Sequence, residues 1–275
     1  MIKFFRKIRQ QLAYDNNVSK YTRYAIGEIV LVVIGILIAL QINNWNNEEI
    51  AKKSETILLN QLQADLKVSQ GELIDVKSFH LERARACTKI LNAFWAPENQ
   101  NDSIENLIGV PLSNRIYSPI LGTAKSLINS GNIDLISSVE LKNSIISYVE
   151  KIEYTLKDIE RYEETYYRNG INEIKKIIPN TILSKEYFNN RQRRNMNGRF
   201  RNLDSLGLNF IPDKIESIPF KSDLKKLFQD EDMYRAYYNL YIAHRNPRAR
   251  YNDMLSLTND LFERIENEIL RKAKN

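Results

Sequence analysis

The chain has 275 residues and a formal net charge of +6, yet residues 1–23 alone hold a net of +5 and residues 29–275 only +2. The basic balance is therefore a feature of the N-terminus, which argues against a nucleic-acid-binding domain. The single cysteine, Cys87, excludes an internal disulfide, so the bulk of the chain must hold together by packing.

At the N-terminus Ile2, Phe5, Ile8 and Leu12 recur at helical spacing, with Lys3, Arg6, Lys7 and Arg9 between them. That pattern suits a short basic amphipathic helix lying on an anionic membrane surface. A fraying tail whose charges only set topology fits it as well. Asp15-Asn16-Asn17 reads as a break.

From Ile29 to Leu40 no side chain is polar, and the stretch from Tyr24 to Trp45 is long enough to cross the ~30 Å of a bilayer core as a helix. Tyr21, Tyr24 and Trp45 suit the two interfaces. Six bases precede the span and Glu48 and Glu49 follow it, so the positive-inside bias puts residues 1–23 in the cytoplasm and 46–275 outside. A cleaved signal peptide needs an A-x-A-like site, which Ile38-Ala39-Leu40-Gln41-Ile42 does not offer. The expected domains are a cytoplasmic basic segment over 1–23, a transmembrane helix over 24–45 and an outer helical domain over 46–275.

Glu28 sits about one turn inside the apolar stretch, where a carboxylate must reach the interface, be protonated or find a partner. Gly35 and Ala39 form a small-xxx-small pair, and Gly27 precedes Gly35 by about two turns, so one face admits a second helix closely. Gly27, Glu28, Gly35 and Ala39 are thus candidates for an intersubunit contact or an ion site. A carboxylate snorkelling to the interface explains Glu28 equally.

Beyond the span nothing stops a helix until Pro97. Leu59, Leu62, Leu66, Ser69, Leu73, Val76, His80, Arg83, Cys87, Ile90 and Phe94 alternate in steps of three and four, the seam of a coiled coil or bundle helix. Gly71 marks a possible bend, and Asn43, Asn44, Asn46 and Asn47 a possible hinge. Residues 97–117 read as loop with a short helix near Ser103–Ile108. Ser118-Pro119 predicts a helix start, with Gly131 closing that helix. Ser137-Ser-Val-Glu140 resembles a capping box that opens a second long pattern from Leu141 to Ile177, ended by Pro179.

Arg191, Arg193, Arg194, Arg199 and Arg201 cluster in the irregular stretch 180–221, where a basic loop would take a phosphorylated lipid or another anionic envelope polymer. A merely solvated surface is the plainer account. The last helix is expected from about Asp230 to Lys272, split or kinked at Pro247. Tyr234, Tyr237, Tyr238 and Tyr241 supply more aromatic surface than one face needs: core, partner interface or pocket wall. No strand pattern occurs. The fold class is all-α: a single transmembrane helix continuing into an elongated outer bundle with three long helices.

The inventory for chemistry is thin. His80 and His244 are the only histidines. His80 and Cys87 lie seven residues apart on one face, about 10 Å along the axis and too far to share a metal. Glu150, Glu153, Glu160, Glu163 and Glu164 form an acidic row without the Glu-x-x-His of a di-iron bundle. Phosphate-binding, nucleophile-elbow and zinc motifs are absent. No catalytic residue, metal ligand or cofactor is expected.

The opening Met1-Ile-Lys-Phe-Phe-Arg-Lys-Ile-Arg-Gln10, followed by Tyr24-Ala-Ile-Gly-Glu-Ile-Val-Leu-Val-Val-Ile-Gly-Ile-Leu-Ile-Ala-Leu-Gln-Ile-Asn-Asn-Trp45, resembles a family of single-pass membrane proteins from Bacteroidetes known as a domain of unknown function. The resemblance extends to Thr123–Ile136 and the last helix. It implies a Gram-negative envelope, hence inner membrane and periplasm, and brings no activity or catalytic residue. The leading expectation is a non-enzymatic envelope scaffold or accessory subunit that meets membrane lipids, its own copies and other envelope proteins, with no nucleic acid. The alternatives are a periplasmic ligand sensor signalling through the span and an oligomeric proton or ion pathway using Glu28.

Overall fold

The computed structural model describes residues 18–96, 100, 102–177 and 224–273. Among them the backbone is helical apart from short connections, and no strand occurs. Helix α1 spans Val18–Ala93. It is followed by α2 (Asp102–Ile108), a 3₁₀ turn (Val110–Leu112), α3 (Gly122–Asn129), a second 3₁₀ turn (Asn132–Leu135) and α4 (Val139–Tyr162). A π-helical turn (Glu163–Tyr167), α5 (Arg168–Ile177), α6 (Leu224–Leu227) and α7 (Glu231–Ala273) complete the described chain. Two compact units divide it, one up to Leu58 and one from Leu59 onward.

In the first unit α1 is long and apolar enough to cross a membrane, and none of its apolar window is buried. Ile29, Leu31, Leu37 and Ile42 are all more than half exposed. Asn43, Asn44, Asn46 and Asn47 are helical, so no break falls there. The side chains of Lys3, Arg6, Lys7 and Arg9, and those of Arg191, Arg193, Arg194, Arg199 and Arg201, lie outside the described residues.

In the second unit the seam of α1 from Leu59 to Ile90 is buried at every position named above. It runs antiparallel to α7: Gln70 donates to Asn259 at 2.9 Å and Lys77 to Asn252 at 3.3 Å. On α7 the inward face is Met233, Tyr237, Leu240, His244, Pro247, Tyr251, Met254, Thr258, Leu261 and Ile265, all buried. Of the kink or split expected at Pro247, the split does not occur: the helix is continuous through it.

α4 and α5 pack on α7, also antiparallel to it. Arg250 on α7 meets Asp158 at 2.7 Å, and Tyr148 and Thr258 share a hydrogen bond at 3.2 Å. Between α4 and α5 the π turn takes up an extra residue: buried Ile152 and Ile159 are seven apart, Ile159 and inward-leaning Tyr167 eight, and Tyr167 and Ile174 seven again. One wider turn keeps both helices on the same face of α7. At Gly170 the approach is closest: a Cβ there would lie 2.8 Å from Leu240 Cγ and 3.0 Å from the Ala236 carbonyl oxygen.

Two predicted starts shift. α3 begins at Gly122 rather than at Pro119, and Ser118–Leu121 remain extended or irregular. Ser138, not Ser137, caps α4, its hydroxyl accepting from the Leu141 N–H at 3.2 Å. Gly131 does occupy the left-handed conformation after α3, at φ 75°.

The two helical glycines Gly170 and Gly71 make opposite predictions. Gly170→Ala should lower the stability of the full-length protein by about 1–3 kcal/mol, since neither Leu240 nor the α7 backbone has room to yield. Gly71→Ala, exposed and with open space around it, should raise stability by about 0.5–1 kcal/mol. Urea unfolding followed by circular dichroism reads both, and the reverse ranking would refute the α5–α7 packing.

Candidate functional site

Residues 108–121 cross the second unit as backbone that is mostly not helical, and Ile108, Gly109, Pro111, Tyr117 and Leu121 of it are buried. Such a strap satisfies only part of its own peptide groups, as between Gly109 and Leu112, and side chains from the surrounding elements serve others. Tyr237 of α7 donates its hydroxyl to the Ile108 carbonyl at 2.8 Å. His244 Nε2 meets the Pro111 carbonyl at 2.8 Å, and Tyr167 of the π turn donates to Leu112 at 2.6 Å. Arg83 of α1 donates through Nε to Ser113 Oγ at 3.1 Å, and His80 Nε2 meets the Arg115 carbonyl at 2.9 Å. The Tyr117 N–H donates to the Tyr251 hydroxyl at 3.4 Å.

The two histidines, 164 residues apart in sequence, touch each other: Nδ1 to Nδ1 is 3.0 Å, inside the core. Tyr251 packs on the His80 ring at 5.3 Å between centroids, and Tyr167 stands edge-on to His244 at 6.0 Å. Burial, with the charges of Arg83 and Arg115 adding to it against the pull of the Arg115 carbonyl, lowers His80 to about 4. Burial, then the facing His80, then Arg83, lower His244 to about 3, against the pull of the Pro111 carbonyl. Burial pushes Tyr167 and Tyr251 up to about 12 and Tyr237 well above the usual range, so all three are neutral; Tyr167 and Tyr237 donate to the strap and Tyr251 accepts from it.

Arg83 is itself buried. Its guanidinium lies 3.2 Å from the Phe79 ring centroid, donates to the Phe79 carbonyl at 3.1 Å and reaches Glu82 at 3.0 Å. Cys87 is fully buried one turn further on, its thiol pushed up by burial and unsuited to act as a nucleophile at neutral pH. Among the described residues no group of three or more His, Cys, Asp or Glu could hold a metal ion. A groove of about 620 Å³ on the outer side of α1 is lined by Leu81, Ala86, Leu107 and Val110 together with Glu82, Arg85 and Lys89.

The other candidates stay apart. Gly27 and Gly35 have nothing within 4 Å of a would-be Cβ, so no part of the described chain packs on that face. Ala39 is exposed and Glu28 half-buried on the same helix. The tyrosine row divides. Tyr237 belongs to the core, whereas Tyr234, Tyr238 and Tyr241 form an outer ladder of rings 6.4–6.5 Å apart that Trp95 joins at one end. Sequence reasoning missed the histidine pair. Its only trace was that both histidines fall in phase with an apolar seam.

The family-model comparison covers residues 28–205, from Glu28 through α1, the strap and the π turn. The chain belongs to the family of unknown function DUF6090. No curated protein and no solved structure matches it. The matched stretch includes His80 and the strap but ends before α7, which supplies His244, Tyr237 and Tyr251.

Two measurements test the strap. Tyr237→Phe leaves the buried Ile108 carbonyl without its donor and should cost about 1–3 kcal/mol, while Tyr154→Phe at a 77% exposed ring should be silent. Equal effects would refute the strap bond. For pH, both histidines are lowered in the fold, so below about pH 6.5 the unfolded chain binds more protons than the native state. The stability that neutral rings contribute is whole above that pH and is lost as pH falls toward the folded values. The urea midpoint at about pH 5.5, still above the carboxylate range, should therefore be lower than at about pH 7.5. A level midpoint would mean the rings titrate alike in both states.

Proposed function

We propose that the protein is a non-enzymatic, single-pass inner-membrane anchor whose C-terminal part, an elongated bundle on three long helices, stands in the periplasm and assembles with its own copies or other envelope proteins. The observation that carries this reading is the apolar window of α1, which the rest of the described chain leaves uncovered. A helix so exposed in water would bury nothing; lipid, or a second helix within lipid, gives it a partner. The excess of bases before the span supports a cytoplasmic N-terminus, and the open face at Gly27, Gly35 and Ala39 supports close approach of another span. The second unit supports binding rather than catalysis. Its two histidines, with Tyr167, Tyr237 and Tyr251, are engaged with backbone groups of the strap, and the ladder of Tyr234, Tyr238, Tyr241 and Trp95 offers accessible aromatic surface.

Native mass spectrometry of the full-length protein, purified from its own membranes in mild detergent, tests this. The expected result is an oligomer or a complex with a second envelope protein, and a shift of any homo-oligomer toward monomer in Gly35→Leu, where four added heavy atoms block the small-residue face. A monomer at every concentration with nothing bound would end the proposal. A homo-oligomer untouched by Gly35→Leu would move the self-contact away from the span.

A further inference from the structure

The hydrogen count of the histidine pair does not close for neutral rings. A carbonyl oxygen only accepts, so His80 Nε2 facing Arg115 and His244 Nε2 facing Pro111 must both carry hydrogen. A neutral imidazole has one N–H, which leaves two bare Nδ1 lone pairs pointing at each other across 3.0 Å. Moving one hydrogen to Nδ1 repairs that contact but turns an Nε2 lone pair against a carbonyl. Three contacts need three hydrogens, and two neutral rings supply two. One added proton completes the set, and 3.0 Å is an ordinary N–H···N distance.

We propose that His80 and His244 form a binding site for one shared proton, held as Nδ1–H···Nδ1 between rings whose Nε2–H groups are both committed to the strap, so that proton uptake and closure of the strap on α1 and α7 are one event. Without the proton, one of the three contacts opens: a ring turns away from Pro111 or Arg115, or the rings part. With it, all three hold.

The groups around the site set how readily it fills. Burial opposes a positive charge on either ring, as do Arg83 from α1 and, at His80, Arg115 from the strap, and a charge on one ring opposes a second on the other. On the other side the π turn brings Glu163 close enough to act on Tyr167 and Tyr251, the two rings that cover the histidines. Glu82 draws off part of the Arg83 charge. Tyr167 and Tyr251 stay neutral and contribute dipoles only. The hydrogen-bond geometry favours one proton over two, because a doubly charged pair would place two N–H groups face to face. The folded pair then holds one proton where the unfolded chain holds two, so acid still lowers global stability while it tightens the strap.

The chain's having only two histidines makes the test direct. Full-length protein without a histidine tag, labelled with ¹⁵N-histidine and kept metal-free by a chelator in detergent, is titrated from about pH 8 down to about pH 3, the range into which burial lowers both rings, while ¹H–¹⁵N spectra follow the four ring nitrogens. The expected result is uptake of one proton per pair, with both Nδ1 signals moving together and both Nε2 remaining protonated. Exchange of the strap amides, Tyr117 among them, should slow on the order of tenfold beyond the intrinsic pH effect. His244→Gln keeps a donor for Pro111 but removes the second ring, and the joint step should vanish from the His80 signals. If that variant does not fold, the wild-type titration decides alone.

Rings that stay neutral while the protein remains folded, rings that each take their own proton, or unfolding before either is protonated would each overturn the proposal. So would zinc, added in place of chelator, shifting both Nδ1 signals reversibly at neutral pH, because that would make the pair a metal site.

Discussion

A partly buried segment of backbone that is mostly neither helix nor strand has to borrow hydrogen-bond partners for the groups it does not satisfy itself, and residues 108–121 impose that requirement on the elements packed around them. The donors and acceptors come from α1, the π turn and α7, and their spacing follows from helix geometry. Tyr237, His244 and Tyr251 are seven residues apart on α7, so they project from one face at intervals of roughly 10 Å. They meet the strap at Ile108, Pro111 and Tyr117 in the same order along its length. Arg83 and His80 do the same from α1, with the order reversed because the strap runs against that helix.

This arrangement explains why polar side chains sit in seams that would otherwise be apolar. A buried peptide carbonyl with no donor costs about 1–3 kcal/mol, and a buried imidazole or guanidinium without partners costs at least as much. Bringing the two together removes both penalties, and each alone would be a liability. Arg83 is the extreme case. Its charge is tolerable in the core because the Phe79 ring, two hydrogen bonds and Glu82 surround it.

The helices were legible because their cause is local. Every named seam position of α1 from Leu59 to Ile90 is buried, as is that of α7 from Met233 to Ile265, since a three-four spacing of apolar residues has only one way to hide. Boundaries slipped where local chemistry offered two answers. Ser137 and Ser138 are both competent caps, and in the fold it is the Ser138 hydroxyl that accepts from the Leu141 N–H. Pro119 resembles a helix start, but the strap stays non-helical up to Leu121, with Tyr117 tied to Tyr251. The π turn left only a step of eight where seven was expected. The histidine pair was illegible for another reason: nothing within either helix says which residue of α7 stands opposite His80. That is a question of register between elements 164 residues apart.

Register is also where the polar network acts most strongly on the fold. Seams built on steps of three and four nearly repeat every seven residues, so α7 slid by two turns along α1 would still match apolar residue to apolar residue. Packing alone discriminates poorly between such alignments. On α7 the polar positions Tyr237, His244 and Tyr251 also recur every seven residues, but their side chains are not interchangeable. A two-turn slip would set His80 against Tyr237 or Tyr251 instead of His244, pull Tyr237 off the Ile108 carbonyl and leave the strap with orphaned backbone groups. Several such losses at about 1–3 kcal/mol each outweigh the few tenths that separate two similar apolar contacts. The strap and its ligating side chains therefore select one alignment of helices that hydrophobic burial would leave nearly degenerate, and the histidine contact at its centre exists only in that alignment.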